Sequence, residues 1–297
     1  MMDIRKTPLF AESWNVAWRK GNPGKILDDL ETPFNIIENS FRYWAADPFV
    51  YERDGCVYIF AELYDYVLRR GVLGYCQLDS PKSAKWIPII TEDHHLSYPC
   101  VIEVGDKILL MPESSESREL VLYEAIDFPF KWEKKHVLRR EVCFADTTPI
   151  KWTEYNLALT HKVDDPYNPR LMLIDLNNIY EDVRIEQAID FQSRPAGQTF
   201  QNDTEHIRPA QFSLDCDKGY GKGLLFYSYW LDDKMRYDEK LISKLLPTEL
   251  RYSRKILIDG MHTYNASGNY EVIDIKTRRF NILNFVFRLL NKVRNMI

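Results

Sequence analysis

The chain has 297 residues, 45% of them hydrophobic and 13% aromatic, and a formal net charge of −5 at pH 7. The hydrophobic share is sufficient for a large core, and the acidic balance argues against a nucleic-acid partner. Five cysteines without close pairs, no apolar segment after Met1 and no run of 18 apolar residues predict a reduced, cytoplasmic protein without a membrane-spanning helix.

A short motif recurs along the chain, in which a polar residue and a proline open a strand-turn-strand unit. It occurs at Asp47-Pro48, Tyr98-Pro99, Thr148-Pro149 and Arg208-Pro209, with the prolines 51, 50 and 60 residues apart. A degenerate fifth copy begins at Thr263. A repeat of this length made of short strands is typical of a β-propeller.

Each copy continues with further strand-like segments. The first copy predicts strands at Asp47–Glu52, Val57–Glu62, Gly71–Leu78 and Trp86–Ile90. The fourth predicts strands at Ala210–Leu214, Gly223–Trp230 and Leu250–Ile256. Trp14–Arg19 and Phe34–Glu38 have no partners of their own, so we expect them to complete the fifth blade and close the ring, which removes open sheet edges. The predicted fold is an all-β, five-bladed β-propeller over residues 1–277, with blades starting near 47, 98, 148, 208 and 262.

The last twenty residues, 278–297, have a different pattern. Apolar residues such as Leu283, Phe287 and Leu290 recur at helical spacing, and the segment holds five basic residues and no acid. A basic amphipathic helix is predicted here. Such a helix can lie on an anionic membrane, but it can equally pack on protein.

The repeat also predicts a functional site. In a propeller, the start of each first strand and the end of each second strand lie at the same mouth of the central channel. The starts supply Asp47, Tyr98, Asp146, Arg208 and His262, and the ends supply Glu62, Glu113, His161 and Tyr229. These residues are polar and differ from copy to copy, which packing alone does not require. The alternative interpretation is that Asp and Thr before Pro only form turns.

Several carboxylates around an aromatic-rich pocket suit glycosyl transfer, in which one carboxylate acts as nucleophile or base and another manages the proton. Trp44, Tyr98, Tyr229 and Tyr264 could present ring faces to a sugar. The histidines and cysteines show no zinc spacing, and neither a metal nor another cofactor is predicted.

An ordered series of motifs resembles a known family over about residues 13–278. The motifs are Trp44–Phe49, Leu96–Pro99, Met111–Ser114, Ala145–Pro149, Arg194–Gly197, Ile207–Gln211 and Gly260–Asn265. They are similar to the propeller domain at the N-terminus of glucosamine inositolphosphorylceramide transferases and to related bacterial proteins from polysaccharide gene clusters.

That domain is similar in shape to the five-bladed glycoside hydrolases of families 43, 32 and 68. Those enzymes carry an Asp on the first blade, an Asp on the third and a Glu further round. The resemblance implies that Asp47 and Asp146 are the first two, and that Glu113 or Glu205 is the third. Phe212 stands where the family pattern implies an acid.

Three functions follow from these observations. The first is a glycosyltransferase that moves a furanose-type sugar from an activated donor, such as a nucleotide sugar, to a surface glycan or glycolipid. In it Asp47 attacks or stabilises the anomeric centre, Asp146 orients hydroxyls, Glu113 handles the proton, and Arg208 and His262 face the donor phosphate. The basic helix would hold it peripherally at the inner membrane face. The second is a glycoside hydrolase acting on a furanoside, and the third is a non-catalytic carbohydrate-binding propeller.

Overall fold

Five four-stranded antiparallel sheets form the blades of an all-β, five-bladed propeller. The computed structural model describes residues 10–78, 84–150, 157–163, 170–177, 182–183, 194–202, 204–213, 220–234, 236–282 and 286. Within these residues, no helix combines the length and the apolar character that crossing a lipid bilayer requires.

The strands follow the chain blade by blade. Near the N-terminus lie β1 (Phe10–Lys20) and β2 (Asn35–Ile36). The first blade holds β3 (Tyr43–Arg53), β4 (Cys56–Asp65), β5 (Arg70–Gln77) and β6 (Ile87–Ile90). The second holds β7 (Ser97–Val104), β8 (Lys107–Glu113), β9 (Glu119–Asp127) and β10 (Lys131–Arg140). The third holds β11 (Phe144–Pro149), β12 (Leu157–Lys162), β13 (Arg170–Asp175) and β14 (Asp182–Val183). The fourth holds β15 (Phe200–Asn202), β16 (Glu205–Phe212), β17 (Gly223–Leu231) and β18 (Tyr237–Leu245).

The fifth sheet combines strands from both ends of the described chain. Its order is β19 (Tyr264–Ser267), β20 (Tyr270–Phe280), β1 and β2. β1 pairs with β20 in unbroken register, from Phe10 opposite Phe280 to Lys20 opposite Tyr270.

Within a blade, residues of the innermost strand are more buried than residues of the outermost strand. In β3, six consecutive residues from Ala45 to Val50 are buried, because both faces of this strand pack against neighbouring blades. In β10, by contrast, residues 133–136 are all exposed. The turn between β3 and β4 has Asp54 at φ 52° and Gly55 at φ 76°, the backbone that a tight hairpin of right-handed twist requires.

Every inner strand carries extra residues relative to the strand beside it. The extra residue lies at Asp47-Pro48 in β3, at Tyr98-Pro99 in β7 and at Asp146-Thr147 in β11. The register also shifts in the fourth blade, between the pairs Pro195–Ala210 and Phe200–Ile207, and in the fifth, between Gly260–Lys276 and Tyr264–Ile273. Such bulges bend a strand and re-aim its side chains, and here they recur at one level of the ring.

Two sequence predictions are corrected by this topology. The fourth blade does not begin at Arg208-Pro209: the segment 194–202 is innermost, and Arg208 belongs to the second strand, β16. Its fourth strand is β18, whereas the predicted strand Leu250–Ile256 contains only a bridge at Tyr252.

The boundary predicted for the C-terminal helix was also wrong. Residues 278–280 are the end of β20, because Arg279 and Phe280 pair with Ala11 and Phe10 of β1. Beyond them the structure describes only residues 281, 282 and 286; residues 282 and 286 have helical backbone, and the rest of the predicted helix lies outside the described residues.

Candidate active site at the centre of the propeller

Three inner strands place a strained residue at the same level of the central channel. Asp47, Tyr98 and Asp146 have φ angles of 50°, 47° and 51°. This left-handed conformation costs roughly 1–2 kcal/mol for a residue other than glycine. Each lies in the bulge of its strand, so the bulges aim these side chains toward the channel axis.

The second strands of the same blades contribute one polar residue each, at equivalent positions. Glu62, Glu113 and His161 stand opposite the residue that precedes the bulge, namely Ala46, Ser97 and Ala145. The structure therefore brings together the strand starts and strand ends that the repeat predicted for these three blades.

Asp47 is held by residues of the fifth blade. Its carboxylate accepts a hydrogen bond from the Thr263 hydroxyl at 2.7 Å and lies 3.4 Å from Nε2 of His262. The other nitrogen of the imidazole, Nδ1 of His262, lies 2.5 Å from Asp274. Asp274 also accepts hydrogen bonds from the backbone N–H groups of His262, Thr263 and Asp47, at 2.9, 3.0 and 3.1 Å. It therefore fixes the position of His262 relative to Asp47.

A single arginine joins the carboxylates of the second and third blades. Arg194 donates from one nitrogen to Glu113 at 3.0 Å and from another to Asp146. The amide of Gln211 donates to the same Asp146 oxygen at 2.9 Å, and Ser115 donates to Glu113 at 2.9 Å. These hydrogen bonds hold the carboxylates of Glu113 and Asp146 in fixed positions beneath the mouth of the channel.

Glu62 has fewer partners than the other carboxyl groups. Within the described residues, its Oε1 accepts no hydrogen bond, and the ring of His95 lies 3.5 Å away. The backbone N–H of Gly71 donates to Nδ1 of His95 at 2.9 Å. That bond leaves the ring proton on Nε2, the nitrogen that faces Glu62.

The centre holds more acids than bases. Burial, together with the carboxylates of Asp47 and Glu113, raises the pKa of Glu62 well above its usual value. Burial raises the pKa of Asp146 to about 8, although Arg194 opposes the change. Burial also raises the pKa of Asp47, against the attraction of His262.

His262 responds in the opposite way to its surroundings. Burial alone would lower the pKa of this ring, but the carboxylates of Asp274 and Asp47 outweigh burial and raise it. A cationic His262 therefore stabilises the charged form of Asp47, whereas the His95 ring beside Glu62 accepts a backbone N–H at Nδ1 and carries no charge.

The buried ring of His161 lies near two arginines, and its nitrogens have no hydrogen-bond partner among the described residues. The side chain is 5% exposed, and both ring nitrogens lack partners among the described residues. Burial, with Arg194 and Arg208 adding to it, lowers the pKa of His161 to about 3, so the ring is neutral. A neutral ring can donate one hydrogen bond and accept another, which suits a hydroxyl group.

Aromatic rings line the mouth above the carboxyl cluster. Trp44 stacks on Tyr64 with ring centres 4.9 Å apart and planes within 7° of parallel. Tyr220 meets the ring of His262 edge-on at 5.2 Å and keeps 42% of its surface exposed. Flat, partly exposed rings next to carboxylates are suited to packing against a sugar.

Four of the predicted site residues lie elsewhere. Arg208 makes two bonds to Glu239, at 2.5 and 2.7 Å, and is therefore not available to a donor phosphate. Tyr229 packs with Tyr237 in the apolar layer between the third and fourth blades.

The other two are equally remote from the carboxyl cluster. The hydroxyl of Tyr264 donates to Glu271 at 2.6 Å and accepts from the N–H of Gly24 at 2.8 Å. Its ring packs against Phe200 and Phe226. Glu205 is exposed in the hairpin after β15, at the end of the segment 194–202 away from Arg194.

Tyr98 lies in the channel but cannot present a ring face to a ligand. Its side chain is fully buried, its ring meets Phe49 edge-on at 4.8 Å, and its hydroxyl bonds Thr148 at 2.7 Å. It closes the floor of the site instead.

The sequence prediction missed four site residues: Arg194, Gln211, Tyr220 and Asp274. Arg194-Pro195 has the same polar-proline form as the other strand starts, and this signal could have identified it. Asp274 lies in the middle of a strand without any motif, so only the register reveals it.

The donor atoms of Asp47, His262 and Asp274 lie within 4.8 Å of one another, a spacing that could hold a metal ion. The 2.5 Å contact between His262 and Asp274 is shorter than two ligands of one ion normally approach. These residues therefore fit an ion pair better than a metal site.

Comparisons with known proteins agree with this geometry. Residues 13–254 match the family model described as glucosamine inositolphosphorylceramide transferase 1, N-terminal. The Arabidopsis thaliana protein named glucosamine inositolphosphorylceramide transferase 1 is 34% identical over 238 residues, covering 74% of this chain and 29% of the relative. The chain thus spans about three tenths of the length of that relative.

Solved structures with similar folds include two α-L-arabinofuranosidases. One from Podospora anserina, in complex with cellotriose, has a TM-score of 0.58 at 11% identity and covers 89% of this chain and 97% of that one. The catalytic domain of a family 62 enzyme from Coprinopsis cinerea has a TM-score of 0.57 at 14% identity, over 89% and 98%. At these identities the likeness shows the fold alone.

Proposed function

The chain belongs to the family of the N-terminal domain of glucosamine inositolphosphorylceramide transferase 1, and we propose that it is a glycosyltransferase built on a glycosidase-like propeller. The observation that carries the proposal is a group of four carboxyl groups, three of them buried, from three neighbouring blades around one channel. They are Asp47, Glu62, Glu113 and Asp146. Stability alone does not favour such a surplus of acids, whereas sugar transfer uses it directly.

Asp47 is the proposed nucleophile or stabiliser of the anomeric centre. Glycosyl transfer passes through an oxocarbenium-like transition state, which a carboxylate stabilises. Thr263 and the cationic His262 favour the charged form of Asp47, and the bulge fixes its direction. His262 thus acts on Asp47 rather than on a phosphate.

Glu62 is the proposed proton carrier in place of Glu113. A general acid must hold its proton near neutral pH, and burial among carboxylates raises the pKa of Glu62 accordingly. Glu113 instead accepts from Arg194 and Ser115, so its oxygens are engaged as acceptors. We therefore assign Glu113, Arg194 and Asp146 to orienting the sugar hydroxyls.

Trp44 and Tyr64 form the proposed platform for the sugar ring, and His161 supplies a neutral donor and acceptor deeper in the channel. The structural neighbours are named as α-L-arabinofuranosidases, and on this analogy we propose a furanose-type donor sugar. The relative is named glucosamine inositolphosphorylceramide transferase 1, which favours a glycolipid acceptor, with a surface glycan as the other choice.

We further propose that the protein works in the cytoplasm, at the inner face of a membrane, where nucleotide sugars and lipid-linked acceptors meet. Residues 276–297 hold six basic residues and no acid, which supports attraction to anionic lipid.

A second candidate is a glycoside hydrolase acting on a furanoside. The same pair, Asp47 beside the cationic His262 and a neutral Glu62, would serve hydrolysis if water replaced the acceptor. The fold likeness to α-L-arabinofuranosidases favours this candidate only by analogy.

The test is a panel of nucleotide sugars, free pentofuranoses and aryl furanosides, first by thermal shift and then by product analysis. A ligand at about 100 times its Kd adds roughly 2.7 kcal/mol of stability. We expect a shift with one class of nucleotide sugar, and transfer of its sugar to a glycan or lipid acceptor. Release of free sugar from aryl furanosides, with no response to nucleotide sugars, would replace transfer with hydrolysis. Sugar binding without turnover of any donor would leave a carbohydrate-binding propeller.

A further inference from the structure

Exposed apolar side chains cluster beside the mouth, where the fifth blade meets the first. We call this surface the rim patch, and it consists of Phe41, Val67, Leu68, Phe280 and Ile282. Phe41 is 65% exposed and Val67 is 47% exposed. Large apolar groups that share one exposed area mark an interaction surface more often than scattered ones do.

The rim patch is held rigidly by polar contacts beneath it. One Asp65 oxygen accepts the N–H groups of Val67 and Leu68, at 2.7 and 3.2 Å, and fixes their turn. Asn281 donates to the carbonyl of Phe41 at 3.5 Å, so the end of β20 is tied to the loop before β3. The apolar side chains are therefore presented outward on a preformed backbone.

Arginines accompany the apolar residues. Arg42 is half exposed, Arg69 follows Leu68 in the same exposed turn, and the guanidinium of Arg279 lies 5.9 Å from the centre of the Phe41 ring. Asp65 is buried below the patch and already bonds Arg42 at 2.8 Å. The outer surface of the rim patch is thus apolar and positively charged.

The position of the rim patch connects it with the site. The Trp44–Tyr64 stack lies between the patch and Glu62, on the same two strands. Strand β20 also ends here, and the sequence of residues 283–297 carries Arg288, Lys292 and Arg294 without an acid.

We propose that the rim patch docks on a lipid bilayer surface with anionic headgroups, so that the mouth of the channel faces the membrane. Insertion of aromatic and aliphatic side chains and attraction of arginines to anionic lipid act together at such surfaces. A second copy of the chain fits less well, because a two-fold contact would bring the arginines of both copies together. This inference extends the proposed function to its acceptor, but its test measures binding and is independent of glycosyl transfer.

The test is sedimentation of the full chain with vesicles of phosphatidylcholine containing about 30% phosphatidylglycerol, and with pure phosphatidylcholine. We expect binding to the anionic vesicles, reduced at least about 10-fold in the double variant Phe41→Ser, Leu68→Ser. The variant Arg279→Gln is expected to lose about fivefold, which corresponds to about 1 kcal/mol for one basic residue.

Phe130→Ser is the matched control, because Phe130 is 63% exposed but follows β9, which runs away from the mouth. It should bind as the wild type does. Wild-type protein that ignores anionic vesicles would overturn the proposal. Equal losses in Phe130→Ser and in the rim-patch variant would also overturn it.

Two further outcomes would reject it in favour of other occupants. The first is a dimer of the wild type that Phe41→Ser dissociates. The second is vesicle binding that depends on Arg288, Lys292 and Arg294 but not on Phe41 and Leu68. Each would show that the rim patch itself does not meet lipid.

Discussion

Buried charges occur both between the blades and at the centre of the propeller, but they are balanced in different ways. Away from the centre, two buried arginines, Arg208 and Arg19, are each paired with one glutamate. Arg208 makes two bonds to Glu239, and Tyr237 donates to the same carboxylate at 2.5 Å. Arg19 likewise bonds Glu271 at 2.7 Å.

At the centre, the carboxyl groups outnumber the cations. Glu113 and Asp146 share Arg194, Asp47 and Asp274 share His262, and Glu62 has no arginine or lysine partner in the described part of the chain. A balanced buried pair is costly to break, whereas an unbalanced group already costs stability when intact. The first arrangement supports the fold, and the second is the arrangement that the proposed glycosyl transfer would use.

The largest expected effect is on turnover. Asp47→Asn keeps the shape of the side chain but removes the charge that the proposed reaction needs. We expect transfer activity to fall by roughly 10³–10⁴-fold, with the melting temperature unchanged or higher.

This prediction is checked with the donor that the panel identifies. Asp232→Asn, an exposed aspartate paired with Arg236, serves as the control and should keep full activity. Full activity in Asp47→Asn would remove Asp47 from the mechanism.

The next effect is on stability. Arg208→Met leaves Glu239 buried without its partner, and we expect a loss of about 3–5 kcal/mol in the free energy of unfolding by urea. Arg118→Met removes a largely exposed arginine paired with Glu141 and should change stability by less than about 1 kcal/mol. If both variants lose the same free energy of unfolding, the buried pair of Arg208 and Glu239 contributes no more to stability than an exposed pair.

A smaller effect of opposite sign is expected at the centre. Burial raises the pKa of Glu62 in the folded state, so its protonated form stabilises the fold at low pH. This contribution is lost as pH rises from the unfolded value of about 4.3 through the folded pKa. Glu62→Gln should therefore match the wild type near pH 4 and exceed it by about 1–2 kcal/mol at neutral pH.

Thermal unfolding of both proteins across this pH range measures the difference. A variant that is less stable than the wild type at pH 7 would show that Glu62 is ionised and paired.

The smallest effect separates two tyrosines. Tyr264→Phe removes the hydroxyl that joins Glu271 and Gly24, and should cost about 1–2 kcal/mol without affecting ligand binding. Tyr220→Phe should leave stability unchanged and alter ligand affinity, because Tyr220 lies at the mouth. If Tyr264→Phe weakens ligand binding and Tyr220→Phe does not, Tyr264 belongs to the ligand site and its placement outside the site is wrong.

The sequence predicted the inner strands of the first three blades well, because local chemistry determines them. A polar residue before proline in an inner strand is a local signal, and at Asp47 and Tyr98 it coincides with the bulge. Their strand starts and the ends at Glu62 and Glu113 therefore followed from the repeat alone.

The fourth blade could not be resolved in the same way. Arg194-Pro195 and Arg208-Pro209 have the same local form, and both lie in neighbouring strands of one sheet. Only pairing across the sheet distinguishes them, and a register of this kind depends on contacts distant in sequence. The proline spacing of 60 after two spacings near 50 was the one sign of the error.

The sequence also could not predict the direction in which single side chains point. Tyr264 follows the bulge in the fifth blade, and its ring turns to the interblade layer rather than to the channel. One added residue reverses the face of every residue after it, so alternation cannot be counted through an unseen bulge.

Proton transfer by Glu62 requires that its carboxyl group keep its proton to a pH well above the usual glutamate range. The most direct test is ¹³C NMR of protein labelled at the glutamate side-chain carboxyl carbons, in the wild type and in Glu62→Gln. We expect one carboxyl signal that titrates well above the usual glutamate range and is absent from the variant. If every glutamate signal titrates near the usual value of about 4.3, Glu62 is not the proton carrier.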